Sequence, residues 1–152
     1  MPVVISILLV LLIIFCSCYN MLDKWRFRAD RQYPYVRELM EEWETVTLRL
    51  LNTLGIQAPD VHVAGQKHPW EAVAAANRLA EACPLPDLDN PVTAPILARQ
   101  GELEEELEVY LTVYNDTAKS FNKTLGRPIV RNVGKLLKWQ RWEELNFNPN
   151  HQ

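Results

Sequence analysis

The residues able to do chemistry are few and scattered. Three histidines, His62, His68 and His151, lie in loop or tail sequence, and the six-residue step between the first two does not match a helical metal pair. Cys83, beside Pro84, is a stray thiol without a histidine partner in its neighbourhood. Carboxylates crowd into residues 102–108, as Glu102, Glu104, Glu105, Glu106 and Glu108. Paired carboxylates can do acid–base work, but a run of them on a helix reads first as a solvated face. Asp116 stands in reach of Lys119 or Lys123, a solvent-side pairing of little value. The sequence has no Gly-rich phosphate loop, nucleophile elbow or HExxH pattern. No catalytic, metal or cofactor site is expected, and the chain reads as a non-enzyme.

Charge is the more informative chemistry. Lys24, Arg26, Arg28 and Arg31 face two acids, Asp23 and Asp30, in one stretch. Residues 60–123 hold eleven acids against five bases, and after Gly126 come Arg127, Arg131, Lys135, Lys138 and Arg141 against Glu143 and Glu144. The net charge of -3 therefore describes no single surface. An acidic middle disfavours nucleic acid as a partner. The five late cations, with Trp139 and Trp142 beside them, are candidates for contact with a membrane surface.

These groups must be positioned by helices, because Gly is scarce and the apolar-periodic stretches exceed strand length. Residues 3–18 (VVISILLVLLIIFCSC) carry no charge, Gly or Pro. With Tyr19, Met21 and Leu22 the run reaches the length that crosses a bilayer, and Tyr19 and Trp25 fall where an aromatic belt belongs. No Lys or Arg precedes it and no small-x-small pair marks a cleavage site, so it reads as a retained anchor over residues 1–22 rather than a signal peptide. Bulky residues before Cys16 and Cys18 also fail a lipoprotein signal, and the two thiols read as apolar filler rather than acylation sites. Cations follow the span and none precede it, which puts the N-terminus outside and the domain in the cytoplasm. Three cysteines without a framework fit a reducing compartment.

Beyond the anchor, Val36, Leu39, Met40, Trp43, Leu50, Leu51 and Leu54 form one stripe of a helix from about Tyr19, bent near Tyr33-Pro34 and ended by Gly55. A second, Ala-rich helix spans 70–82, and its small residues suit close packing, within the chain or in a homo-oligomer. A long third helix starts near Thr93 or Ile96 and runs to Leu125. The last helix, from Ile129 to about Leu145, is amphipathic: Ile129, Val130, Val133, Leu136 and Leu137 on one arc, and the cations opposite. Residues 147–152 read as a disordered tail. The fold class is all-α, an N-terminal transmembrane helix continuing into an antiparallel bundle of three to four helices over residues 23–146.

The segment YLTVYNDTAKSFNKTL (110–125), with ELEEELEV before it, resembles the C-terminal signature of the LemA family, where one YN pair is followed by a second aromatic-Asn pair. The pairs here are Tyr114-Asn115 and Phe121-Asn122. The anchor leads into Tyr19-Asn20 as that family's anchor leads into its first YN, and HPWEAVAAANRLAEA (68–82) is similar to its second helix. RQYPYVRELMEEW stands where the family has Lys-Arg-Arg and Ile-Pro-Asn, so the resemblance is to a divergent, short member. It implies an antiparallel four-helix bundle on a membrane anchor, with no biochemical activity attached. The carboxamides of Asn115 and Asn122, seven residues apart, suit a structural role, tying a helix to neighbouring backbone. The functional expectation is a membrane-anchored scaffold working through a protein partner or as a homo-oligomer; the alternative is a module that binds or remodels anionic lipid through the basic last helix.

Overall fold

The computed structural model describes residues 1–149, and the described chain is all-helical: α1 Pro2–Thr53, α2 Pro69–Glu81, α3 Ala94–Leu125 and α4 Pro128–Leu136. α1 is a single helix of 52 residues, about 78 Å at 1.5 Å per residue. Pro34 lies inside it and cannot return a bond to the Asp30 carbonyl, yet the helix continues on both sides. Its end is a Schellman motif: Gly55 at φ 69° turns the chain, Gly55 N–H donates to Asn52 O, and Ile56 N–H donates to Leu51 O.

The chain divides into two compact units that share the two long helices. One comprises residues 1–31 and 115–144, the other residues 32–114 and 145–152. The division falls within a turn of Pro34. Packing therefore does not divide the chain at residue 22, where composition changes.

In the first unit, Cys18 and Leu22 are buried against Phe121, Leu125, Val130 and Val133, with Phe15, Trp25, Leu137, Trp139 and Trp142 packed around them. The last turns of the apolar run are thus core, and Cys18 is filler within it. Gly134 lets α4 lie close on α3, since a β-carbon there would collide with the Leu125 Cδ1 methyl. Ahead of this core, from Val3 to Ile13, the large apolar side chains are 54–68 % exposed.

In the second unit, α1 and α3 run antiparallel in one register. Tyr33 meets Tyr114, Tyr35 stacks on Tyr110, Trp43 Nε1 donates to Glu104 Oε1 at 3.0 Å, and Gln100 Nε2 donates to Thr47 Oγ1 at 2.9 Å. α2 presses Ala72, Ala75, Ala76 and Ala80 into this core, where their small side chains permit close approach. The Ala-rich face expected to be available to a second copy is already spent within the chain.

The last helix is shorter than its periodicity suggests. α4 ends at Leu136, and the cations Lys138 and Arg141 with Trp139 and Trp142 leave it. Lys138 takes φ 56°, its N–H donates to Lys135 O, and Trp139 N–H donates to Gly134 O, a second Schellman turn with lysine in the left-handed position. Continued helix would hold both tryptophans on the cationic side, facing water. Leaving it lets them reach Phe121. The tail also departs from expectation: Leu145 is buried and Phe147 sits edge-on to Trp43 at 5.0 Å, so residues 147–149 pack rather than trail. Residues 150–152 of the expected tail, His151 included, lie outside the described residues.

Left-handed φ costs a β-carbon-bearing residue about 1–2 kcal/mol, partly offset by the extra unfolded-state freedom of glycine. Lys138→Gly should therefore stabilise the chain by about 0.5–1 kcal/mol, a rise in melting temperature of roughly 1–4 °C. A fall, measured by circular dichroism in detergent, would contradict the turn.

Candidate functional site

No described group of three or more His, Cys, Asp or Glu converges in a way that could hold a metal ion. His62 Nδ1 lies 3.5 Å from Glu44 Oε1, whereas His68 stacks flat on Trp70 at 4.4 Å, so the two histidines serve different local contacts. Cys83 is half-buried and burial pushes its thiol pKa up, which lowers the thiolate fraction a nucleophile needs. Its Sγ lies 3.6 Å from Leu79 O.

The acidic run is not uniformly a solvated face. Glu105, Glu106 and Glu108 are exposed and Glu102 pairs with Arg99 at 3.0 Å, but Glu104 is half-buried beneath the Trp43 indole. Burial raises the Glu104 carboxyl pKa, opposed by the Trp43 hydrogen bond. Glu104, Cys83 and Gln100 border an open cleft of about 490 Å³, rimmed by Leu85 and Leu88 at 82 % and 73 % exposure. Asp116 does not take Lys119, which instead lies 3.8 Å from Glu144.

The aromatic–Asn pairs do different things. Tyr19 is partly exposed, with its ring 5.5 Å from Trp139, and Asn20 faces solvent. Tyr114 is buried beside Tyr33, and Asn115 is half-buried. Phe121 is buried and stacks on Trp142 at 4.2 Å with its ring tilted only 9°. Asn122 reads the backbone of the same residue as a neighbouring strand would: its Nδ2 donates to Trp142 O at 2.8 Å and its Oδ1 accepts from Trp142 N–H at 2.9 Å. That pair of bonds fixes the extended segment after α4 on α3.

Asn77, which no pattern singles out, does the same in the second unit. Its Nδ2 donates to Asn146 O and its Oδ1 accepts from Asn148 N–H, both at 2.9 Å. Buried Glu44 likewise escapes the sequence, where it looks like one more acid on a polar face. Its carboxylate accepts from Val63 N–H at 3.0 Å and Ala64 N–H at 3.3 Å, pinning the loop before α2. Only a break in the charge pattern, an acid level with the Met40–Trp43 stripe, could have flagged it.

The cations gather in one unit and the acids in the other. Residues 1–31 and 115–144 carry eleven Lys and Arg against five Asp and Glu, a formal charge of +6, and residues 32–114 and 145–152 carry five against fourteen, or -9. Arg127, Arg131, Lys135, Lys138 and Arg141 are all exposed in the first unit, with Trp139 and Trp142 half-buried beneath them. The arrangement suits contact with an anionic surface and contains no nucleophile–base pair among the described residues. No family model, no curated protein and no solved structure matches the chain.

Asn122→Ala removes both bonds to Trp142 and leaves part-buried backbone unpaired, at a cost of about 1–2 kcal/mol. Trypsin cleavage after Lys138 and Arg141 should then quicken by about tenfold with helix content unchanged; an unaltered rate would contradict the clamp. For Glu104, a folded-state pKa above the unfolded one means the folded chain holds a proton that the unfolded chain releases. Its contribution is favourable below the unfolded value and is lost as pH rises through the folded value. Glu104→Gln should hence raise the melting temperature at pH 7 and leave it nearly unchanged at pH 4, and an equal shift at both would refute the assignment.

Proposed function

We propose that this chain is a membrane-anchored, non-enzymatic helical scaffold of LemA type, working through a protein partner and retaining its apolar helix in the bilayer. The observation that carries the reading is the start of α1, where apolar side chains from Val3 to Ile13 stay uncovered although the same helix enters a packed core a turn later. α1 is the one described helix long and apolar enough to cross a membrane. A core helix of a soluble protein would be covered on at least one face. The uncovered run from Val3 to Ile14 rises about 18 Å, and only together with the turns to Leu22 that pack on α3 and α4 does it reach about 30 Å, the thickness of a hydrocarbon core, so that packed part of the unit lies at the membrane boundary.

The cations directly after the run favour a topology with the N-terminus outside and the helical units in the cytoplasm. The unit of residues 32–114 and 145–152, with its -9 charge and the exposed Leu85 and Leu88, is the surface best suited to a basic, partly apolar protein partner. Self-association falls to the uncovered apolar helix, because the alanines of α2 are occupied.

Carbonate washing of membranes is expected to leave the full chain in the pellet, and recovery in the supernatant with the first twenty residues removed would overturn the anchor. Half-buried Cys83 is a slow reporter of sidedness. Leu85→Cys, in a chain with its native cysteines replaced by serine, should react with an impermeant maleimide only after cells are opened. Labelling of intact cells would reverse the topology.

A further inference from the structure

Folding gathers cations from both ends of the chain into one unit. Lys24, Arg26, Arg28 and Arg31 come from α1, Lys119 and Lys123 from α3, Arg127 from the turn before α4, and the other four from α4 and the segment after it. All eleven are exposed, and among the described residues only Arg26 and Lys119 have a carboxylate within 4 Å, at 3.9 Å and 3.8 Å. Two contacts fix their level along α1. Arg127 Nη1 lies 3.8 Å from Met21 Sδ, and the Trp139 ring lies against Tyr19. Met21 and Tyr19 stand where the apolar run gives way to charge, one turn before Trp25, over which Lys24 and Arg28 lie at 5.7 Å and 4.9 Å.

α4 adds the apolar half of a surface-binding pattern. Val130 and Val133 face inward, but Ile129 and Leu136, seven residues apart on one side, are 60 % and 73 % exposed, with Arg131 and Lys135 also open to solvent. Large aliphatic side chains beside lysine and arginine on an exposed helix face are what an interfacial helix presents to a bilayer.

We propose that the unit of residues 1–31 and 115–144 is an anionic-phospholipid site: its cations bind headgroups around the apolar helix, and Ile129 and Leu136 dip into the boundary of the acyl chains. The inference rests on the membrane reading above and adds a lipid class to it. Continuity with the apolar run favours lipid over protein as the occupant. A second copy, docking its acidic unit on these cations, is the competing occupant.

The test uses the full chain reconstituted in phosphatidylcholine vesicles containing a fixed fraction of brominated phosphatidylglycerol or brominated phosphatidylcholine, with tryptophan quenching as readout. The brominated anionic lipid should quench about threefold more strongly, and ~0.5 M salt should narrow the gap. Arg127→Gln/Arg131→Gln/Lys135→Gln, all at exposed positions, should remove the preference with helix content unchanged. Ile129→Ser/Leu136→Ser should lower quenching by both lipids and keep the preference. Equal quenching of a carbonate-resistant chain overturns the inference alone, as does a preference that survives the charge variant or salt-sensitive self-association in place of it. A chain that carbonate extracts from both vesicle types overturns the membrane reading and this inference together.

Discussion

The antiparallel register of α1 and α3 is the constraint from which the other contacts of the second unit follow. In the second unit it is set by contacts that cannot slide independently: Trp43 to Glu104 and Thr47 to Gln100, each a directional hydrogen bond in or beside an apolar core. A slip of one residue would carry these polar groups off their partners, and unpaired buried polar groups cost more than the bonds themselves contribute. Leucine and valine stripes alone would tolerate such slips, because burial is not directional. Gln100 and Glu104 also sit one helical turn apart on α3, as Trp43 and Thr47 do on α1, so each pair reinforces the other's register.

A separate set of contacts decides how the apolar run is used. In the first unit Phe121 and Leu125 meet Cys18 and Leu22, so α3 and α4 cover the final turns of a stretch that is otherwise bare. One helix therefore carries two kinds of surface, packed on protein from about Phe15 onward and uncovered before it. A helix can do this because its backbone hydrogen bonds are internal and make no demand on what lies against it. Charge follows the same partition, +6 in the unit that shares the apolar run and -9 in the other.

Extended segments, not further helices, complete both units. The chain after Leu136 has no ladder partner, and two asparagines supply one. Asn122 pairs with Trp142, and Asn77 with Asn146 and Asn148. A carboxamide offers one donor side and one acceptor side at the spacing of a peptide group, which lets a helix substitute for an adjacent strand. Phe121 then packs on the ring of the anchored Trp142, and Trp43 on Phe147 between the two anchored asparagines.

What was legible without coordinates was whatever depends on period and composition. The apolar run, the stripe of α1, the Gly55 stop, the extents of α2 and α3 and the helical class all follow from local spacing, because hydrophobic faces and caps are properties of consecutive residues. The cations of the last stretch are visible in the sequence too, but periodicity alone overstates the length of their helix. Its periodicity persists past Leu136, and only the gain from burying Trp139 and Trp142 on Phe121 outweighs continued helix at Lys138. Glu44, Asn77 and the half-buried Glu104 were hidden for the same reason. A polar side chain reads as solvated until the fold brings a backbone amide or an indole against it from 19 to 71 residues away along the chain. The gathering of eleven cations into one unit was likewise beyond local reading. It needs α1 and α3 to run antiparallel, and that is a property of the packed helices, not of any stretch of sequence.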